Sequence, residues 1–333
     1  MNSMRIGIIG AGGWGTALGL VLNHNEHDVF LWTHDPNLTH TINRYHINKD
    51  YLPNVILPPT LTSTNDASRL SDCDLILNTI PTQYIRATIK NFSLPLQNKL
   101  IVNGSKGIET ESLKRISEIF KEAAATDAQN YTILTGPSHA EEVSREMPTT
   151  VVAASENIEF AKRIQEIFSN DKFRVYSSND VVGCEMGGSL KNVIALAAGI
   201  IDGLELGDNT KAALITRGLA EMSRLGIAMG ANPLTFSGLS GLGDLIVTCN
   251  SQHSRNRYVG EMIGRGKKLN QIIEEMKMIA EGVKTTESAY HLGLKHHVEI
   301  PIAEQIYRIL FEDLEPLEAI KELMTRTSKY EWW

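Results

Sequence analysis

Short runs dominated by apolar residues recur through the first half of the chain, and helical patterns separate many of them. Such a run, apolar without alternation, predicts a strand that is buried on both faces. Strands alternating with helices predict an α/β fold with a Rossmann-type, doubly wound and mostly parallel sheet. The predicted strands are 6–9, 28–32, 75–79, 100–103, 132–135, 150–154 and 173–176, and the helical patterns include 16–22, 112–125 and 158–168.

The pattern changes near residue 180, beyond which strand signals nearly vanish. We therefore expect two domains, an α/β domain over 1–180 and an all-helical domain over 181–333. A ligand is expected in the cleft between them. The predicted helices of the second domain are 180–204, 210–229, 255–264, 281–296, 302–311 and one near 315–325.

The first predicted strand leads into a glycine-rich turn, Gly10-Ala-Gly-Gly-Trp-Gly15. In a dinucleotide-binding turn, Gly10 permits the tight bend, Gly12 lets backbone N–H groups approach a pyrophosphate, and Gly15 lets the helix pack against the strand. A bare match to this spacing is often an ordinary turn. Here a strand precedes it, a helix follows, and a second strand comes at βαβ distance, so we predict dinucleotide binding at the helix N-terminus.

Composition and charge narrow the classes of function. The formal net charge is -7, so no general affinity for nucleic acid or for an anionic membrane is expected. The longest apolar run, 193–201, is far shorter than the roughly 20 residues that span a bilayer, and no signal peptide is evident. The cysteines lack metal-ligand spacing and fit a reducing cytoplasm, so no metal site is predicted; they are Cys73, Cys184 and Cys249.

Lys191 and Asn192 stand at the head of an apolar helical run that begins at Val193. A helix that is apolar nearly all round is buried. One interpretation is a lysine whose ammonium reaches solvent from the helix end. The other is a partly desolvated lysine, whose lowered pKa would make it a usable base.

Two segments of the second half carry candidate ligand-binding groups. Asp244 follows the glycines of Ser240-Gly-Leu-Gly, and it is either an acid at a helix start or a partner of a buried lysine. Ser254, Arg255 and Asn256 open a predicted helix, which is either a solvated basic turn or a phosphate site of backbone donors and a guanidinium. His253, just before them, is interpreted as loop surface.

Further candidates lie at the ends of predicted strands, where ligands of doubly wound sheets bind. Lys106 lies between Gly104 and Gly107 and is either an exposed turn lysine or a residue that faces the crevice. Gly136 and Ser138 belong to a segment that is either a plain turn or a source of backbone donors and a hydroxyl.

The residues after the second strand leave the choice of cofactor open. An NAD site usually places an acidic residue there to hold the ribose hydroxyls. Asp35 has the right distance along the chain but can fall beyond the strand, and His34 could tolerate a 2′-phosphate. No arginine stands at this position, so both NAD and NADP fit, with NADPH favoured for a reductive reaction.

Taken together, these segments resemble the bacterial NAD(P)-dependent glycerol-3-phosphate dehydrogenases. The resemblance implies reversible reduction of dihydroxyacetone phosphate to sn-glycerol 3-phosphate, which supplies glycerophospholipid synthesis, in a cytoplasmic homodimer. It also implies that the helical domain binds the substrate and carries the catalytic residues. The matching segments are GIIGAGGWGTA, YLPN, SKGIE, GPSHAEEV, GGSLKNVIALAAGI, TRGLAEMSRLG, SGLGDL, SRNR and EGVKT, in this order.

The resemblance also implies roles for individual residues. Lys191 matches the proton acceptor, and Asn192, Asp244 and Thr248 match its supporting residues. One departure is Gly13, where the family often has serine or alanine. The implied substrate residues are Lys106, Gly136, Ser138, Lys191, Asp244, Ser254, Arg255 and Asn256. The implied cofactor residues, with the glycines Gly10, Gly12 and Gly15 of the turn, are Gly13, Trp14, His34, Tyr51, Lys106, Ala140, Arg255, Ile279 and Glu281.

Two other functions are compatible with the same fold. A β-hydroxyacid-type dehydrogenase would also combine a dinucleotide domain, a helical domain and a lysine base, but its carboxylate substrate would not need the phosphate segment at Ser254. A non-catalytic dinucleotide sensor would need neither that segment nor a lysine at a buried helix head.

Overall fold

The computed structural model describes residues 3–92, 96, 99–276, 279–328 and 330–331. In the first part of the chain, strands and helices alternate. The strands are β1 (Arg5–Ile9), β2 (Asp28–Trp32), β3 (Ile47–Asn48), β4 (Leu52–Ile56), β5 (Thr62–Thr64), β6 (Leu75–Asn78), β7 (Leu100–Asn103), β8 (Tyr131–Thr135), β9 (Thr149–Ala154) and β10 (Phe173–Ser178). The helices are α1 (Gly13–His24), α2 (Pro36–Tyr45), α3 (Thr82–Phe92), α4 (Ile116–Ala124), α5 (Ala140–Val143) and α6 (Ile158–Phe168).

Eight of these strands form one sheet in the order β10-β9-β8-β7-β6-β1-β2-β5. All neighbours are parallel except β8 and β9, which are antiparallel, so β9 and β10 run opposite to the rest. Separate apolar clusters cover the sheet, and this is why its strands are continuous apolar runs. The predicted fold class, a mostly parallel doubly wound sheet followed by helices, is confirmed.

The rest of the chain is helical within the residues that the structure describes. The helices are α7 (Val181–Gly203), α8 (Gly207–Ala228), α9 (Asp244–Asn250), α10 (Arg255–Gly264), α11 (Leu269–Glu275), α12 (Glu281–His296), α13 (Pro301–Phe311) and α14 (Pro316–Met324). Helix α7 is the axis of this part, and nearly all of its residues are buried. It is also the one helix of the described chain long and apolar enough to cross a membrane, but that apolar stretch lies wholly inside the protein.

Close backbone packing joins α7 to α10. A Cβ atom at Gly199 would lie 1.9 Å from the Arg257 carbonyl oxygen, and one at Gly260 would lie 2.0 Å from the Leu196 carbonyl oxygen. Only glycine permits two helix backbones to approach this closely. The contact brings the first turn of α10 beside the middle of α7.

Some predicted boundaries were wrong. The helix predicted over 112–125 begins only at Ile116, because Leu113 has a positive φ of 59° and Glu118 closes the helix start by accepting from the Arg115 N–H. Helix α8 begins at Gly207, three residues before the prediction. Helix α2 and the hairpin of β3 and β4 were not predicted, because α2 buries only Leu38 and Ile42 and the two strands of the hairpin are two and five residues long.

Candidate active site

A cleft of about 1000 Å³ lies between the carboxyl ends of the parallel strands and the helical part. It gathers residues that are far apart in sequence. The predicted site residues that line it are Gly10, Gly12, Gly13, Trp14, His34, Tyr51, Lys106, Ser138, Ala140, Lys191, Asn192, Thr248, Ser254, Arg255, Asn256, Ile279 and Glu281. Three predicted residues, Gly15, Gly136 and Asp244, are not part of this lining.

The glycine turn has the shape that a dinucleotide requires. Gly10 has a φ of +113°, and a Cβ at Gly15 would lie 2.0 Å from the Gly10 carbonyl oxygen, so Gly15 packs beneath the turn. A Cβ at Gly12 would meet no atom within 4 Å, which leaves open space at the start of α1. Helix α1 has no side-chain cap there, and its first N–H groups are free to bind an anion.

Gly13 is crowded. A Cβ atom at this position would lie 2.7 Å from the Tyr51 carbonyl oxygen, on the turn between β3 and β4. The hairpin therefore covers the glycine turn closely in this chain, which explains glycine at a position where the resemblance would allow serine or alanine.

The catalytic candidates form one buried cluster around Asp244. Its carboxylate accepts a hydrogen bond from Lys191 Nζ at 2.5 Å through Oδ1 and from Lys106 Nζ at 2.6 Å through Oδ2. Lys191 Nζ also donates to Thr248 Oγ1 at 2.7 Å. Lys106 comes from the loop after β7, whereas Lys191 lies on α7 and Asp244 begins α9. The carboxylate thus links the two parts of the chain.

Burial and charge set the protonation of this cluster. Burial lowers the pKa of Lys191 to about 8, although Asp244 opposes the shift. Burial alone would raise the pKa of Asp244, but Lys106 and Lys191 outweigh it and hold that pKa below its usual value. Of the two interpretations of Lys191, the desolvated lysine is the one that this geometry supports, because the residue is only 6 % exposed.

The start of α10 forms the next part of the cleft. Ser254 caps this helix by accepting from the Arg257 N–H at 3.2 Å, so its hydroxyl still has a proton to donate. Arg255 is exposed and lines the cleft, and the buried Asn256 accepts from the Gly282 N–H at 2.9 Å. This helix start faces the cleft with a guanidinium and unpaired backbone donors, which suits an anion.

Across the cleft, Gly136 and Ser138 follow β8. The Gly136 carbonyl oxygen accepts from Lys106 Nζ at 3.1 Å and from Ser138 Oγ at 2.9 Å. The Gly136 carbonyl group therefore orients the Lys106 and Ser138 side chains. The φ of Gly136 is +139°, a conformation that favours glycine.

Glu281 connects the two halves of the chain at the start of α3. Its Oε1 accepts from the Thr82 N–H, the first residue of α3, at 2.6 Å. Burial raises the pKa of Glu281 to about 7, against the opposing effect of that hydrogen bond. Trp14 also bridges segments, since its Nε1 donates to the Gly104 carbonyl oxygen at 3.1 Å.

Asp35 is the N-cap of α2 and lies beyond the end of β2. Its Oδ1 accepts from the Asn37 N–H at 2.8 Å. One carboxylate oxygen is thus committed to the helix, while the exposed His34 stands at the rim of the cleft.

The sequence interpretation missed part of the lining. His253 is not loop surface, because its ring lies 5.9 Å from that of His139 and both line the cleft. Burial, with Lys191 next in size, lowers the pKa of His139 to about 4, so this imidazole is neutral. Aromatic residues at the far end of the cleft were also missed; they are Trp32, Tyr84 and Phe92. Nothing local in the sequence distinguishes these side chains from ordinary core or surface residues.

Comparison with known proteins agrees with this geometry. Residues 5–161 match the model of the NAD-dependent glycerol-3-phosphate dehydrogenase N-terminus, and residues 180–321 match that of the C-terminus. The chain is 51% identical over 330 residues to glycerol-3-phosphate dehydrogenase [NAD(P)+] of Lysinibacillus sphaericus, covering 98% of both chains. It is 50% identical over 331 residues to the Bacillus subtilis protein of the same name, covering 98% of this chain and 96% of the other.

A solved structure gives the same result. The glycerol-3-phosphate dehydrogenase of Coxiella burnetii superposes with a TM-score of 0.91 at 36% identity, covering 97% of this chain and 99% of that one. Both halves of the chain are therefore accounted for by one family, and the chain belongs to the NAD-dependent glycerol-3-phosphate dehydrogenases.

Proposed function

We propose that this chain reversibly reduces dihydroxyacetone phosphate to sn-glycerol 3-phosphate with NAD(P)H and supplies glycerophospholipid synthesis. The observation that carries the proposal is a buried lysine, Lys191, bonded to Asp244 within a cleft that also holds a dinucleotide turn. Family membership supports the substrate, because the relatives are named for it.

The cofactor would lie along the glycine turn. Gly10, Gly12 and Gly13 would admit its pyrophosphate at the start of α1, and Trp14, Tyr51, Ala140, Ile279 and Glu281 would line the remaining groove. When bound, NAD(P)H supplies the hydride. His34 and the committed Asp35 carboxylate are compatible with either NADP or NAD, and we favour NADPH for the reductive direction.

The substrate would bridge the two domains. The start of α10, with Ser254, Arg255 and Asn256, would bind the phosphate, because a helix N-terminus and a guanidinium both favour an anion. Ser138 and Lys106 would hold the substrate from the side of the sheet. A phosphate site separate from the lysine argues against the β-hydroxyacid alternative.

Lys191 would move the proton of the reaction. In reduction, its ammonium donates to the oxygen of the substrate carbonyl as this becomes an alkoxide. In oxidation, the neutral amine accepts the hydroxyl proton. Asp244 and Thr248 hold Nζ in place from behind, and Asn192 on the next position of α7 completes the cleft wall.

We extend the proposal to the organisation of the protein. Domain limits of 1–180 and 181–333 are supported by the end of β10 at Ser178 and the start of α7 at Val181. A homodimer located in the cytoplasm is what the family resemblance implies, and sedimentation of the purified protein would test the assembly.

The experiment that tests the function is NADPH oxidation, followed by absorbance, with dihydroxyacetone phosphate as substrate and NADH in a parallel reaction. We expect oxidation that requires the phosphate, and the ratio of the two rates gives the cofactor preference. Dihydroxyacetone serves as the control that lacks the anion. Binding of both cofactors without oxidation would contradict the proposal and lead to a panel of β-hydroxy acids, and then to the sensor function.

A further inference from the structure

A buried polar cluster lies directly behind the loop that carries Lys106. Its members are Asn78, the last residue of β6, Asn103, the last residue of β7, and Ser105. The two asparagines are partners in the parallel register of β6 and β7, and all three residues are buried. A buried side-chain amide is costly unless it is hydrogen-bonded, so such a cluster at two strand ends needs a physical reason.

Hydrogen bonds connect the cluster to the loop. Asn78 Nδ2 donates to Asn103 Oδ1 at 2.8 Å and to Ser105 Oγ at 3.2 Å. Asn103 Nδ2 donates to the Ser105 carbonyl oxygen at 3.0 Å, while Asn103 Oδ1 accepts from the Ser105 N–H at 3.2 Å. The Ser105 hydroxyl donates to the Ile80 carbonyl oxygen at 2.6 Å. Both backbone polar groups of Ser105 are thus held by one side chain.

These hydrogen bonds restrain the backbone immediately before Lys106. Its ammonium reaches Asp244 across the cleft, and its side chain is flexible, with about 2 kcal/mol of rotamer entropy to lose. The ammonium can occupy one position only if the backbone from which the side chain starts is itself held. The Ser105 carbonyl belongs to the peptide bond that leads into Lys106, so the amide of Asn103 sets this starting point.

We infer that Asn103 and Ser105 are positioning residues, which place Lys106 on Asp244 and so keep the lysine in its place beside the substrate. This inference rests on the proposed function of the cleft. It assigns a role to a buried asparagine outside the cleft lining and to a serine that borders the cleft, whose hydroxyl is bonded to the Ile80 carbonyl oxygen and not to Asp244. The alternative is that the cluster only joins β6 to β7 and adds stability.

A double-mutant cycle separates the two roles, because residues that act through one another are not additive. We expect Ser105→Ala to lower kcat/KM for dihydroxyacetone phosphate by about 10-fold to 100-fold, the effect of a shift on the order of 1 Å. The loss should divide between kcat and KM as it does in Lys106→Met. In the Lys106→Met background, Ser105→Ala should lower kcat/KM by less than about twofold, since the ammonium that Ser105 helps to position is already absent.

The matched control is Ser155→Ala. Ser155 is also buried, and its hydroxyl donates to the backbone carbonyl oxygen of Tyr131 at 2.7 Å, at the first residue of β8, whereas the Lys106 loop follows the last residue of β7. Ser155→Ala should lower the stability of the protein. Any small change in kcat/KM should be the same in the wild-type and Lys106→Met backgrounds. Asn103→Ala provides a second test of the cluster if Ser105→Ala has too little effect on the loop.

Additive losses in the cycle, or an unchanged kcat/KM in both cluster variants, would overturn the inference. A crystal structure of Asn103→Ala, which lacks both hydrogen bonds to the Ser105 backbone, tests it without any substrate, because we expect Lys106 Nζ to leave its position at 2.6 Å from Asp244 Oδ2. A lysine that stays there would also overturn it. Failure of the proposed function is a different result, namely a wild-type protein that does not oxidise NADPH with dihydroxyacetone phosphate.

Discussion

Lys191 shows how a single residue acquires reactivity from its surroundings. It lies in a wholly buried stretch of α7, where loss of solvent disfavours the ammonium, and the one charge that stabilises it, Asp244, is shared with Lys106. The Lys106 ammonium also acts against the charge on Lys191, so the shared carboxylate stabilises that charge less than an unshared one would. The result is a lysine that can both give and take a proton near neutral pH.

Replacing this residue should remove turnover selectively. We expect Lys191→Ala to lower kcat by about 10²-fold to 10⁴-fold, the usual contribution of a positioned acid or base, with NADPH affinity almost unchanged. Fluorescence titration with NADPH and steady-state rates measure the two quantities. The control is Lys211→Ala, which removes a lysine paired with Asp202 outside the cleft and should keep turnover near that of the wild type. Retention of more than about a tenth of the activity in Lys191→Ala would refute the assignment.

The pH dependence should follow the same group. Reduction needs protonated Lys191, so kcat/KM for dihydroxyacetone phosphate should fall above a pH of about 8, while the rate of oxidation rises toward that pH. In Asp244→Asn the attraction that favours the ammonium is lost, so both limbs should move to lower pH. Rate profiles from pH 6 to pH 10 record them, and a limb that moves upward would contradict the assignment.

At the scale of elements, glycine spacing decides how the helices meet. Gly199 and Gly203 on α7 face α10, and Gly260 and Gly264 on α10 face α7, so each helix presents glycines four positions apart. Glycine costs a helix about 1 kcal/mol relative to alanine, and here that cost permits backbone contact. This contact places the start of α10, the proposed phosphate site, near Lys191.

A methyl group in this contact should therefore destabilise the fold. We expect Gly260→Ala to lower the free energy of unfolding by about 1–3 kcal/mol, because its Cβ would meet the Leu196 carbonyl oxygen, which cannot move independently of α7. Urea denaturation measures the change. Gly243→Ala is the control, since it is helical in conformation with its nearest neighbours at 3.7 Å, and it should stay within about 0.5 kcal/mol. Equal effects of the two substitutions would exclude the packing explanation.

At the scale of the molecule, the cleft exists only because two structurally different parts meet. Its walls come from the strand ends and from α7, α9, α10 and α12, and Glu281 and Asp244 link the parts by hydrogen bonds. A ligand in this cleft contacts both parts. Its binding should therefore stabilise the whole chain and not only the half that contains the glycine turn.

Cofactor binding should raise the stability, and one glycine should control the effect. At 100 times its dissociation constant, NADPH should stabilise the wild type by about 2.7 kcal/mol. Gly12→Val should fold as well as the wild type, because the φ of Gly12 is -70° and its Cβ position is open, but the side chain should occupy the pyrophosphate space. Thermal melting with and without NADPH measures both effects, and a Gly12→Val protein that still responds to NADPH would contradict the proposed cofactor site.

Several elements of the fold were predictable from local patterns. The buried strands appear as apolar runs, and α6 was predicted with its observed limits, because apolar residues at helical spacing leave little ambiguity. Helix α2 and the hairpin of β3 and β4 were not predicted, since tertiary contacts and turn geometry stabilise them. Asp35 illustrates this limit, because its role as a helix cap depends on where β2 ends.

What the sequence determined by itself was the alternation of strands and helices, the dinucleotide turn, the buried helix that carries Lys191, and the family. These follow from local spacing and from motifs that keep their order along the chain. Only the tertiary structure decided that Asp244 binds both lysines, that His139 faces His253, and that Asn78 bonds to Asn103 and Ser105. Each of these contacts joins residues far apart in sequence, and the free energy of such a contact depends on distances and burial that no local pattern contains.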